Sequence, residues 1–241
     1  MIETVAPDLT LKEILLSMVN GAWLTVTCLD TRFTTILRDS VMKGFLLMIL
    51  LACSSLTSAK TLLILGDSLS AGYGMASTES WPALLAERWQ HSSGKQSLMN
   101  VSVSGSTTQD ALARLPSALT RYRPQVVLIE LGANDGLRGF PPAVAEQNLR
   151  KLIDMVQAAH AQPLLMQIRI PRNYGPAYLT QFEAIYPRLA KDYHIPLLPF
   201  FMEKIIGQPE LIQADGLHPT AAAQTKICDI MDSQLDKYMV N

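Results

Sequence analysis

Leu62-Leu63-Ile64-Leu65-Gly66-Asp67-Ser68-Leu69-Ser70 is the stretch from which the rest of the chain can be read. Four consecutive aliphatic residues without polar alternation fit a strand covered on both faces, and the abrupt change to Gly-Asp-Ser marks where it stops. Further short apolar runs stand at residues 100–103, 126–131, 164–168 and 195–198, with longer stretches of helical character between them. One of these opens at Ser80-Trp81-Pro82, where proline sits in a first turn that has no use for its missing N–H. Another carries Val144, Leu149, Leu152, Ile153 and Val156 at helical spacing, and the last places Ile227, Ile230, Met231 and Leu235 on one face. This alternation predicts an α/β fold, a three-layer α/β/α sandwich around a mainly five-stranded parallel sheet. In such sheets ligands bind beyond the carboxyl ends of the strands.

Upstream of that first strand the text changes character. Met42-Lys43 gives a short positive start, residues 45–52 are unbroken apolar, and Thr57-Ser58-Ala59 supplies small residues before Lys60. The layout is that of a secretory signal peptide over residues 42–59, too short to span a bilayer comfortably. Cleavage near Ala59 predicts a periplasmic or secreted protein. The alternative is a lipid anchor on Cys53, because Leu50-Leu51-Ala52-Cys53 resembles a lipoprotein site. Residues 1–41 show no clean periodicity and are expected to be a gene-model extension or disordered, with Met42 as the start. Residues 60–241 form the functional domain.

The chain has 241 residues, 49% of them apolar and 17% charged, enough for one α/β domain with a sizeable core. Twenty basic residues against 21 acidic ones leave no field to recruit nucleic acid. The three cysteines, Cys28, Cys53 and Cys228, lack metal-ligand spacing, and Cys228 reads as a small buried hydrophobe. Neither metal nor cofactor is expected, nor an obligate protein partner, and the chain reads as a monomer.

Chemistry-bearing residues follow the strands: Gly66-Asp67-Ser68 after the first, Ser104-Gly105-Ser106-Thr107 after the second, Gly132-Ala133-Asn134-Asp135 after the third, and Asp215-Gly216-Leu217-His218-Pro219 before the last helix. Acyl transfer needs a nucleophile, a base, a group that orients the base, and donors aimed at the oxyanion. Ser68 is the candidate nucleophile. Of four histidines, His91 reads as lying in a polar turn, His160 at a helix end and His194 just before a strand. Only His218 has a carboxylate three residues earlier in its loop. Asp215 at that spacing can hold the imidazole Nδ1–H and leave Nε2 for the serine. The N–H groups of Ser68 and Gly105 and the side-chain amide of Asn134 are the natural oxyanion donors. Asp67 reads as a loop brace or helix cap and Asp135 as structural.

In this order the motifs resemble the GDSL, or SGNH, hydrolase family from about Thr61 to the C-terminal helix. The flanking text Leu65-Gly66-Asp67-Ser68-Leu69-Ser70-Ala71-Gly72-Tyr73 and the run from Pro163 to Gly175 are similar to its bacterial periplasmic thioesterase, lysophospholipase and arylesterase members. The resemblance implies a flavodoxin-like SGNH fold and a serine hydrolase of acyl esters and thioesters. It also implies Ser68 as nucleophile, Gly105 and Asn134 in the oxyanion hole, and Asp215 and His218 completing a triad. Ser106 departs from the pattern, since relatives often carry aspartate there. The substrate is then a small-molecule or lipid ester, with Leu137, Phe140, Pro171 and Tyr174 as candidate lining for its acyl chain.

Other classes fit less well. A phosphate-binding Gly-rich loop would need spacings that Gly66, Gly72 and Gly74 do not supply, and no lysine is near. A phosphoacceptor signalling domain could use Asp67 and Asp135 but would want a lysine after the fifth strand, where Pro199-Phe200-Phe201 stands. The Gly-x-Ser-x-Gly elbow of α/β-hydrolases is absent.

Overall fold

The computed structural model describes residues 60–92 and 96–239. The expected extension (1–41), signal segment (42–59) and Cys53 lie outside the described residues. Five strands, β1 (Lys60–Gly66), β2 (Gln96–Asn100), β3 (Val126–Glu130), β4 (Gln162–Met166) and β5 (Leu197–Leu198), form one sheet in the order β2-β1-β3-β4-β5. All four pairings are parallel. The chain steps outward from β1 to β2, then crosses back to the other side of β1 for β3. That reversal puts the topological switch point, and hence the binding crevice, between the carboxyl ends of β1 and β3.

The principal helices are α1 (Ser68–Ala71), α2 (Trp81–Ser92), α3 (Thr108–Tyr122), α4 (Ala133–Leu137), α5 (Pro142–Ala158), α6 (Pro176–Glu183), α7 (Ile185–Tyr193) and α8 (Ala221–Met239). α3, α5 and α7 pack side by side, and α2 packs on α8. Right-handed crossovers place these two groups on opposite faces of the sheet, completing three layers. Residues 62–65 and 126–129 are buried, as the continuous apolar runs require. Arg88 and Trp89 of α2 reach Asp232 of α8 at 3.1 and 2.8 Å, and Arg88 reaches Asp229 at 2.6 Å, pinning the ends of that layer. Cys228 is buried on α8. Among the described residues no helix is long and apolar enough to cross a membrane.

The strand boundaries differ from the sequence reading in instructive ways. β2 occupies Gln96–Asn100, ahead of the apolar run expected at 100–103. As an edge strand it is only half-buried, so its residues need not be continuously apolar. The segment after it still bonds to β1, through Val101 N–H to the Ile64 carbonyl and Val103 N–H to that of Gly66. β4 begins two residues earlier than expected. β5 shrinks to two residues because Pro196 has no N–H to offer the sheet, although its carbonyl accepts from Leu165 N–H at 3.0 Å. Val144 lies on the exposed face of α5, while Leu149, Leu152, Ile153 and Val156 are buried. His91 belongs to the last turn of α2 rather than to a polar turn.

The turn that follows β3 is tied to the core by one contact. Gly132 has φ +115°, and a Cβ there would run into the Tyr186 hydroxyl, which donates to the Leu131 carbonyl at 3.0 Å. Gly132→Ala is therefore expected to cost about 3 kcal/mol or more, from backbone strain plus overpacking. Denaturant unfolding checks this, with Tyr186→Phe in the same background expected to be less damaging than the two changes added together.

Candidate active site

Four loops converge at the switch point. Asp67 starts α1 as its N-cap, its Oδ1 accepting from Leu69 N–H at 3.1 Å, so Ser68 is the first helical residue rather than a loop serine. Gly105 follows β2 with φ +77°, a left-handed turn that favours glycine even though space for a Cβ is open. Asn134 stands in the first turn of α4, directly after Gly132 and Ala133. Asp215 and His218 lie in the loop before α8.

The distances are those of a hydrogen-bonded chain. His218 Nε2 is 2.9 Å from Ser68 Oγ, and His218 Nδ1 is 2.6 Å from Asp215 Oδ2. The other carboxylate oxygen, Asp215 Oδ1, accepts from the N–H groups of Leu217 and His218 at 2.9 and 3.0 Å, closing a tight Asx turn. These bonds, that of the His218 N–H foremost, hold the Asp215 carboxyl at about 2, below its ordinary value. The acid is therefore ionised whenever the imidazole needs an orienting acceptor. Tyr73 covers the imidazole, ring centroids 4.3 Å apart. Gln213 fastens that cover: its amide donates to the carbonyls of Tyr73 and Pro219, both at 2.9 Å. Tyr73 closes the stretch that carries the family resemblance, but nothing in the sequence assigned it this role, and Gln213 carried no signal at all, because each works through packing and backbone contacts.

Among the described residues the N–H groups of Ser68 and Gly105 donate to no protein acceptor, while those of Asp67, Leu69 and Ser106 are bonded. The Asn134 amide donates to the Ser106 carbonyl at 3.1 Å and to Asp67 Oδ2 at 3.3 Å. Ser106, which departs from the pattern that the resemblance implied, meets Arg114 of α3: the guanidinium donates to its hydroxyl and, at 3.0 Å, to the Gly66 carbonyl. Arg114 thus ties the first and second loops together without needing an acidic partner at position 106. Asp135 is buried and accepts from Thr108 N–H and Oγ at 2.9 and 2.6 Å, capping α3.

A cavity of 90 Å³ touches Ser68, Asn134 and His218 and is walled by Leu137, Ile170 and Pro171, among others. It shares Leu69, Ile170, Pro171 and Leu217 with a 730 Å³ groove that continues past Phe200, Met202 and Ile206. Leu137 and Pro171 thus line the space beside Ser68, but Phe140 and Tyr174 line neither part of it. Phe140 is 39% exposed, and its carbonyl accepts from Tyr178. The Tyr174 hydroxyl is spent on the Leu137 carbonyl at 2.7 Å, bracing the cavity wall from behind. Ile170, Leu217, Met202 and Ile206 are among the lining residues that sequence reading missed. They come from three separate loops, and no local periodicity links them.

Comparison with known proteins agrees with this geometry. The family model "GDSL-like Lipase/Acylhydrolase family" matches residues 64–226. Thioesterase 1/protease 1/lysophospholipase L1 of Escherichia coli (strain K12) is 54% identical over 191 residues, covering 79% of this chain and 90% of the relative. An arylesterase of Vibrio mimicus is 46% identical over 194 residues, covering 80% and 97%. Among solved structures, the psychrotrophic esterase EstA from Pseudoalteromonas sp., inhibited by monoethylphosphonate, superposes with a TM-score of 0.73 at 44% identity, covering 76% of this chain and all of EstA. The chain belongs to the GDSL-like lipase/acylhydrolase family and is a hydrolase acting on ester bonds.

Proposed function

We propose that the enzyme hydrolyses acyl esters and thioesters through an acyl-enzyme on Ser68, with His218 as general base and Asp215 as its orienting acid. The observation that carries this is the unbroken chain Ser68 Oγ, His218 Nε2, His218 Nδ1, Asp215 Oδ2, with steps of 2.9 and 2.6 Å. Neutral His218 takes the Ser68 proton as Oγ attacks the acyl carbonyl. The negative charge moves to the carbonyl oxygen, where the N–H groups of Ser68 and Gly105 and the Asn134 amide receive it. Asn134 has two amide hydrogens, and its 3.3 Å bond to Asp67 is at the long end of the range. That is the bond exchanged for the oxyanion. His218 then gives its proton to the departing alcohol or thiol, and a water repeats the sequence on the acyl-enzyme.

The groove holds the acyl chain against Ile170, Pro171, Met202 and Ile206, while Arg169, Arg172, Glu183 and Glu203 supply charged lining beside them. Thioesterase, lysophospholipase and arylesterase activities are named for the bacterial relatives, and a chain of medium to long length on a lipid ester fits the groove's size and lining. The enzyme acts outside the cytoplasm after residues 42–59 are removed. N-terminal sequencing of the protein recovered from its native host is expected to begin at Lys60, and a lipidated Cys53 would replace that reading with the anchored one.

With p-nitrophenyl esters of increasing chain length, Ser68→Ala of the 60–241 protein should lose all activity and all labelling by a fluorophosphonate. Ile206 is 62% exposed at the far end of the groove, so Ile206→Glu should leave folding intact. It is expected to lower kcat/KM for long esters by roughly tenfold and leave the acetate unchanged. Equal loss on every ester would move the acyl chain elsewhere. Asn134→Ala is expected to lower kcat by about a hundredfold or more with little change in KM, measured in steady state on one ester.

A further inference from the structure

Beneath the nucleophile lies a polar cluster that the mechanism above does not use. Glu130, the last residue of β3, is 0% exposed, as is Asp67. Its Oε2 accepts from Ser70 Oγ at 2.7 Å and from Asp67 N–H at 3.4 Å, so one carboxyl oxygen grips the chain on both sides of Ser68. Glu130 stands opposite Gly66 in the β1–β3 register, and a Cβ on Gly66 would come within 2.5 Å of that oxygen and 2.8 Å of Ser102 Oγ. Glu130 Oε1 and Ser102 Oγ are both buried without a partner among the described residues.

Asp67 and Glu130 are both wholly buried and adjacent, the Asp67 backbone N–H donating to Glu130 Oε2, and two such neighbouring carboxyl groups do not both carry charge unless a cation is bound to them. The cation facing the cluster is Arg114, and its donors go to the Gly66 carbonyl and the Ser106 hydroxyl, to neither acid. The other titratable groups around the cluster are Asp135 of α4, Tyr186 of α7 and His218 of the catalytic loop. Asp67 accepts from Leu69 N–H and from the Asn134 amide, a donor set that suits an anion. Glu130 has no donor aimed at Oε1, so nothing there compensates a negative charge. We propose that Glu130 is a positioning residue for Ser68, carrying the one proton that the Asp67–Glu130 pair retains and clamping residues 67 and 70 through its other oxygen. This rests on Ser68 as the nucleophile. Burial, with the neighbouring Asp67 adding to it, pushes the Glu130 carboxyl well above its ordinary value, which agrees with the assignment.

A protonated acid is mimicked by an amide: glutamine keeps an acceptor for Ser70 and Asp67 and replaces the hydroxyl by NH₂. Glu130→Gln should therefore keep the rate of fluorophosphonate labelling of Ser68, and kcat, within about threefold of wild type. Glu130→Ala should lower both by roughly tenfold or more at nearly constant KM, because the nucleophile is freed from its clamp. Should Glu130→Ala fail to fold, Ser70→Ala cuts the 2.7 Å bond and is expected to slow labelling in the same direction. Independently, the side-chain carboxyl ¹³C resonance of Glu130 in the wild-type protein, assigned by its loss in Glu130→Gln, should sit at the protonated position at pH 7. A resonance at the ionised position overturns the proton assignment, and Ser70→Ala or Glu130→Ala labelling at the wild-type rate overturns the clamp. Labelling that survives in Ser68→Ala would instead refute the nucleophile itself, so the two failures are distinguishable.

Discussion

The pairing of Gly66 with Glu130 at the ends of β1 and β3 is the constraint on which the site depends. These strands are neighbours because the chain reverses direction between β2 and β3, and the crevice this opens is where the first and third loops must meet. The close approach demands glycine at 66, since a methyl group there would collide with Glu130 Oε2. It also fixes how the chain leaves β1. The Gly66 carbonyl accepts from Val103 N–H and from Arg114, drawing the second loop in from one side, while Glu130 takes the Asp67 N–H and the Ser70 hydroxyl from the other. Ser68 is held at the centre of that bracket.

The second half of the site is arranged more locally. Asp215 binds the backbone of its own loop and the ring of His218, three residues on, so the orientation of the imidazole is encoded within one turn. What that turn lacks is a fixed position relative to Ser68, and this comes from Gln213, which bonds the catalytic loop to the Tyr73 carbonyl. Tyr73 follows α1, so the segment bearing Ser68 and the segment bearing His218 are stitched directly to each other. A pair of 2.9 Å bonds from one amide thus does for the loop of His218 what Glu130 does for the turn of Ser68. Neither support touches the reacting atoms, and this leaves the N–H groups of Ser68 and Gly105 free of protein acceptors among the described residues.

Much of this was legible in the sequence because the fold rule and the motifs are one-dimensional. Residues 62–65 and 126–129 are buried on both faces, and such strands announce themselves as unbroken apolar runs. The order of the four loops can be read off the chain, and Asp215 and His218 interact over a span of three residues. Reading failed where the third dimension decides. β2 lies at an edge, where half-burial permits Gln96 and Ser97, so the apolar run just beyond it drew the boundary too late. Phe140 and Tyr174 have the right chemistry for a groove, and their positions near Leu137 and Pro171 suggested it. Yet the Tyr174 hydroxyl is committed to the Leu137 carbonyl and Phe140 faces outward. Ile170, Met202, Ile206 and Leu217, which do line it, come from three loops, after β4, after β5 and around His218, and only the folded sheet brings them together.

Glu130 shows the same limit in sharper form. In sequence it lies inside the run 126–131, Val-Val-Leu-Ile-Glu-Leu, and nothing there distinguishes it from the usual exposed acid. In the fold it is wholly buried beside a second buried acid. Burying a carboxyl without a cation is unfavourable unless the group gives up its charge and finds partners. The hydroxyl of Ser70 and the N–H of Asp67 are those partners, and both belong to the turn that presents Ser68. An apolar residue at 130 would satisfy the sheet equally well but would leave that N–H and that hydroxyl buried without acceptors, at about 1–3 kcal/mol each. The acid is therefore better explained by the turn it holds than by the strand it ends, and the demands of the nucleophile extend one layer deeper than the motif that advertises it.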